Sequence, residues 1–144
     1  MYKRVSKDQY YLDIAFAVSK RSNCLKRHYG AVIVKDDVIV ATGYNGSPRG
    51  KENCCDVGIC HRLALPSNSG DYALCRSVHA EQNAIVSASR EEMIGAKLYL
   101  AGEEYDSDVY SNSGEYTYKR MSNCSPCPVC WRLIENSGII KVVG

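Results

Sequence analysis

Two stretches far apart in the chain constrain its fold more than anything else in it. "CRSVHAEQNAI", residues 75–85, sets His79 and Glu81 at the head of an apolar run, and "SPCPVC", residues 125–130, sets Cys127 and Cys130 at the head of another. A histidine and a glutamate are seldom buried without partners. Two cysteines separated by two residues have metal-ligand spacing. A fold that satisfies both stretches has to bring two helix starts to one point.

The rest of the chain supplies elements that can do this. Residues 8–22 read as an amphipathic helix, with Leu12, Ala15, Phe16 and Ser19 on one face and Ile14 and Val18 widening it. "GAVIVKDDVIVATGYNG" reads as a hairpin whose β-branched runs, 31–34 and 38–42, flank a turn at Lys35, Asp36 and Asp37. Residues 44–71 are rich in Gly, Pro, Asn, Ser and Cys and show no period, which predicts a long loop that is functional or tied down. A helical pattern runs over 78–92, "AKLYLAG" is a short strand, and 102–123 is a polar, Tyr-rich insert. Residues 127–136 are helical with Gly138 as the stop, and "IIKVV" closes as a strand. The order α-β-β-α-β-α-β predicts an α/β protein: a three-layer αβα arrangement around a mixed sheet of four to five strands. No repeat, low-complexity tract or linker divides residues 1–144, which read as one domain.

Composition narrows the function. A chain of 144 residues is long enough to bury a real core, and 45% hydrophobic with 24% charged residues is typical of a soluble globular protein. A net charge of +2 is too small for a nucleic-acid-binding surface. No apolar run approaches membrane length, and Asp8, Gln9 and Asp13 interrupt any signal-peptide core, so a cytoplasmic setting is expected. Eight cysteines in a reducing compartment point to metal binding or chemistry rather than disulfides.

His79, Cys127 and Cys130 then form a ligand set. Helix N-termini carry partial positive charge and favour thiolate, which suits zinc. A closed structural site would use four protein ligands; three leave a position for water, the catalytic arrangement, in which zinc lowers the pKa of that water toward neutrality. Glu81 points to another side of its helix than His79, so it is poorly placed as a ligand. At a helix start it can still reach the activated water and carry its proton. His-x-Glu followed by Pro-Cys-x-x-Cys after a strand is the order found in zinc deaminases.

With "GAVIVKDDVIVATGYNGSPRG" upstream, "CRSVHAEQNAI" and "SPCPVC" resemble the deoxycytidylate (dCMP) deaminases, within the wider cytidine deaminase fold. The resemblance runs from about residue 10 to 144, and "GYNGSPRG" is the part that separates nucleotide deaminases from nucleoside or tRNA deaminases. Many relatives continue past "IIKVVG" into a further strand and helix, and shorter ones lack an insert like 102–123. The resemblance implies zinc-dependent hydrolysis of dCMP to dUMP and ammonia, supplying dUMP for thymidylate synthesis, with Glu81 as proton shuttle. It implies that Asn45 binds the sugar hydroxyl, the Ala80 N–H the pyrimidine O2, and the Ser125 carbonyl the exocyclic amine. It also implies a homohexamer controlled by dCTP and dTTP, with magnesium accompanying a nucleotide effector and Arg90 at a position tied to that control.

A nucleotide substrate needs a phosphate clamp, for which Arg27, Tyr118, Lys119 and Arg120 are the candidates; Tyr116 or Tyr118 also offers a ring to stack on the base. Some phage relatives carry a second, structural zinc with cysteines matching Cys24 and Cys54. Cys24, Cys54, Cys60 and Cys75 are therefore expected to form a second tetrahedral site, with His61 or Cys55 as substitutes. Alternatives are a deaminase acting on dCTP or another cytosine nucleotide, and a zinc-stabilised binding module without catalysis. Glu81 argues against the latter, because a structural site needs no proton shuttle.

Overall fold

The computed structural model describes residues 1–60, 62, 75–106 and 116–144. Among them five strands form one mixed sheet: β1 (Arg27–Lys35), β2 (Val38–Tyr44), β3 (Lys97–Tyr105), β4 (Tyr118–Arg120) and β5 (Lys141–Val143). The order β2-β1-β3 is antiparallel throughout, with Ala31 opposite Gly43 and Leu100. The far edge of β3 is shared. Its first half pairs in parallel with β5, and its second half pairs antiparallel with β4.

Strand alternation divides the core in two. Ala31, Ile33, Leu98 and Leu100 face one side, where they pack with Ala41, Ala80, Ala84, Ile85 and Ile134. Val32, Val34, Tyr99 and Ala101 face the other, under Tyr11 and Ala15. Helix α1 (Lys7–Ser19) therefore covers one face, while α3 (Ala80–Val86) and α5 (Pro128–Ser137) cover the other. This is the predicted arrangement of helices on both sides of a mixed sheet.

Both helices dock by backbone contact. A Cβ at Gly30 would collide with the Ala15 carbonyl oxygen of α1, and one at Gly43 would meet the Ala80 carbonyl oxygen of α3 at 2.5 Å. The buried stripe of α1 is consequently Tyr11, Ala15 and Ser19, at spacings of four: Ala15 and Ser19 lie on the expected face, and Tyr11 takes the place of the expected Leu12 and Phe16. Small residues win the central contact, and the larger apolar side chains flank it, partly buried.

Three local departures have clear causes. The hairpin turn is the two-residue Asp36-Asp37, both at positive φ, which suits the twist of the strands it joins. The helix predicted over 78–92 is two, α3 and α4 (Arg90–Met93), because Ser89 starts a new one: its side chain accepts from the Glu92 N–H (3.2 Å) and Glu92 accepts from the Ser89 N–H (3.0 Å). Among its described residues the loop after Tyr44 contains one short helix, α2 (Cys54–Val57). Its later part, together with 107–115 of the insert, lies outside the described residues.

Candidate active site and metal centre

His79 and Cys127 occupy the same structural position on two neighbouring helices. Each is an extended N-cap, of α3 and α5 respectively, and Pro128 follows Cys127 as the first residue of its helix. Cys130 lies in the first turn of α5 and is fully buried. His79 Nδ1 stands 3.2 Å from Cys130 Sγ and 3.6 Å from Cys127 Sγ. The Gln82 side chain accepts from the His79 N–H (2.8 Å) and fixes the start of α3.

One nitrogen and two sulfurs, all within 4.8 Å of one another, form the only such group of ligands among the described residues. Burial pushes the Cys130 thiol far above its usual range, and the negative charge of Glu81 adds to the effect. Without a cation Cys130 therefore stays a neutral thiol; a divalent metal would convert both thiols to thiolate ligands. The donor set fits zinc.

Glu81, only 5% exposed, lines the same cavity as His79 and Cys127. The cavity measures about 380 Å³, the size of a small-molecule site. A pair of backbone hydrogen bonds between Gly46 and Val78 (3.1 and 2.7 Å) ties the turn that carries Asn45 to the approach of α3. Asn45 is buried on the cavity wall, its Oδ1 accepting from the Tyr29 N–H (2.7 Å) and its Nδ2 donating to the Arg27 carbonyl (2.9 Å). One Nδ2 proton remains for a ligand. Ala80, between His79 and Glu81, is the first residue of α3, so its N–H has no acceptor within the helix. Ser125 lies at the cavity rim.

Of the phosphate candidates only Arg27 lines this cavity, joined there by Lys26, Tyr29 and Arg62, which the sequence reading did not single out. The adjacent cations Lys26-Arg27 ahead of an apolar strand were the available signal. Arg27 is held loosely, 3.8 Å from Glu104 across the β1–β3 pair. Arg120 lies elsewhere: it pairs with Asp13 (3.1 Å), covers the Phe16 ring of α1 and borders a different hollow. Lys119 is exposed opposite Glu104. The Tyr118 hydroxyl donates to the Leu25 carbonyl (2.7 Å) and its ring lies on His28, while Tyr116 packs on Tyr105. Arg90 opens α4 and donates to the Asn136 carbonyl at the end of α5 (3.3 Å).

The four cysteines of the expected second site do not converge to metal-ligand distance. Cys24, Cys60 and Cys75 share the cavity wall, but Cys54, at the start of α2, turns toward the Ser47 hydroxyl (3.7 Å). Cys55 is exposed, and His61 lies outside the described residues.

Comparison with known proteins agrees with this geometry. The family model for the cytidine and deoxycytidylate deaminase zinc-binding region matches residues 5–144. The deoxycytidylate deaminase of Mycobacterium phage D29 is 38% identical over 143 residues, 94% of this chain and 91% of that one. That of Saccharomyces cerevisiae is 42% identical over 143 residues, 97% of this chain but 38% of its own length. The crystal structure of the dCMP deaminase from cyanophage S-TIM5 in complex with dCMP and dUMP superposes with a TM-score of 0.62 at 27% identity, over 98% of this chain and 82% of that one. The family match takes in both helix starts and the strands that bring them together, and the chain belongs to the cytidine and deoxycytidylate deaminases.

Proposed function

We propose that the protein hydrolyses dCMP to dUMP and ammonia, with zinc held by His79, Cys127 and Cys130. The observation that carries this is a buried carboxylate, Glu81, sharing one cavity with His79 and Cys127 of the ligand trio and with the cations Lys26, Arg27 and Arg62. When bound, zinc supplies a Lewis acid that lowers the pKa of water toward neutrality. Glu81 takes one proton from the attacking water and delivers it to N3 of the cytosine. As the bond from C4 to the exocyclic nitrogen breaks, Glu81 passes the second proton to that nitrogen. The water oxygen remains on C4, and ammonia leaves.

The proposed substrate contacts follow the wall. The Ala80 N–H donates to the pyrimidine O2, the Ser125 carbonyl accepts from the exocyclic amine, and Asn45 donates its free Nδ2 proton to the sugar hydroxyl. Lys26, Arg27 and Arg62 take the phosphate, with Arg offering a bidentate fork. Glu81→Gln preserves shape but removes the shuttle, so dCMP turnover should fall ~10²–10⁴-fold or more while zinc content is retained. Activity within a few-fold of wild type would overturn this reading. A substrate panel of dCMP, dCTP, deoxycytidine and CMP separates it from the dCTP alternative.

A second, structural zinc is part of the proposal, supported by the three cysteines Cys24, Cys60 and Cys75 on a single wall. For assembly and control the proposal follows the family resemblance: a homohexamer, switched by dCTP and dTTP, with Arg90 as the position that links α4 to α5.

A further inference from the structure

Cys24, Lys26 and Arg27 on the cavity wall belong to one short segment, and each of the carbonyls of residues 24–27 is held by a different group. The Tyr105 N–H donates to Lys26 (3.0 Å), continuing the β1–β3 ladder, and Asn45 Nδ2 donates to Arg27 (2.9 Å). The other two carbonyls are captured by side chains. His28 Nε2 donates to Cys24 (2.7 Å), and the Tyr118 hydroxyl donates to Leu25 (2.7 Å).

These two side chains support each other. Their rings lie 4.1 Å apart, tilted by 32°. His28 Nδ1 sits 2.9 Å from Glu103, whose other oxygen accepts from Lys20 of α1 (2.5 Å). Glu103 is 5% exposed, so the ring of His28 is anchored from a buried point. Tyr118 itself lies outside the cavity lining, and its hydroxyl is already committed to Leu25, which argues against direct contact with substrate.

We propose that Tyr118 and His28 are positioning residues for nucleotide specificity: by holding the Leu25 and Cys24 carbonyls they fix the backbone from which Lys26 and Arg27 reach the substrate phosphate. This rests on the phosphate reading above, and it gives strand β4 of the insert a task in selecting the substrate. A long cationic side chain reaches a fixed anion only if its backbone is fixed, so loosening the segment costs phosphate affinity and leaves the chemistry at C4 in place.

The test is steady-state kinetics with dCMP and deoxycytidine on the zinc-loaded wild type, Tyr118→Phe and His28→Gln. Tyr118→Phe removes one hydroxyl and keeps the ring on His28. It should raise KM for dCMP roughly 2- to 10-fold with kcat nearly unchanged, and leave deoxycytidine turnover nearly unchanged. His28→Gln should move the same way; if it fails to fold, Tyr118→Phe decides alone. An unaltered preference for dCMP in Tyr118→Phe overturns the proposal, as do equal losses on both substrates through kcat, which would mark a general distortion. Equal efficiency of the wild type on the two substrates would remove the phosphate reading and this inference with it. The wild-type ratio tests the one and the variant ratio the other.

Discussion

Among the described residues two glutamates are buried, each 5% exposed, and their surroundings give them different roles. Among the described residues Glu81 makes no ion pair, and a buried carboxylate without one is a candidate for chemistry rather than stability. Glu103 lies between Lys20 and His28. Burial alone would raise its carboxyl, but the hydrogen bonds from Lys20 and His28 outweigh this and hold it below the usual glutamate value of 4.5. With a depressed folded-state pKa, its contribution to stability is present above about pH 4.5 and is lost as pH falls through the lower folded value. Glu103→Gln should therefore lower the melting temperature at pH 7 and weaken the fall in stability below pH 4.5, read from thermal melts between pH 7 and 3. Parallel wild-type and variant curves would show that this carboxylate is not the coupled group.

Helix docking sets the next scale, because the two helices meet the sheet at glycines on opposite faces. α3 carries Glu81 and follows His79 directly, whereas α1 carries none of the ligand trio. Gly43→Ala drives a methyl group into α3, and Gly30→Ala drives one into α1. Overpacking of this kind costs typically about 1–3 kcal/mol. Both variants should melt earlier by comparable amounts. Only Gly43→Ala should also lose zinc, since it displaces the helix start that presents His79. Metal analysis of the two purified proteins checks this, and equal zinc retention would mean that the α3 start tolerates the displacement.

At the scale of the whole molecule, Cys24 before β1 and Cys60 and Cys75 after β2 meet on one wall though they are distant in the chain. Ordering a loop poor in apolar residues costs roughly 1–2 kcal/mol per residue, which a metal clip would help offset. Wild-type protein purified without chelator should then hold about two zinc ions per chain, falling toward one in Cys60→Ser while deamination persists. A wild-type count of one would leave those cysteines as thiols of the cavity wall. The sequence alone placed His79, Glu81, Cys127 and Cys130 at two helix starts, because a first-turn spacing and a helix N-cap are local properties that residues 75–85 and 125–130 carry by themselves. Strand alternation, with its fixed period of two, sorts the residues of β1 and β3 into two faces, but which helix covers which face was decided by the tertiary structure. The sequence did not reveal that Lys26 and Arg62 face the cavity while Arg120 turns to Asp13 and Phe16, or that Cys54 turns to Ser47. Nor did it show that Tyr11, rather than Leu12 and Phe16, joins Ala15 and Ser19 in the buried stripe of α1, where Gly30 on a strand elsewhere in the chain lets the helix approach closely. Those outcomes depend on which elements meet in space, and a long or exposed side chain takes its direction from the partners that long-range packing brings to it.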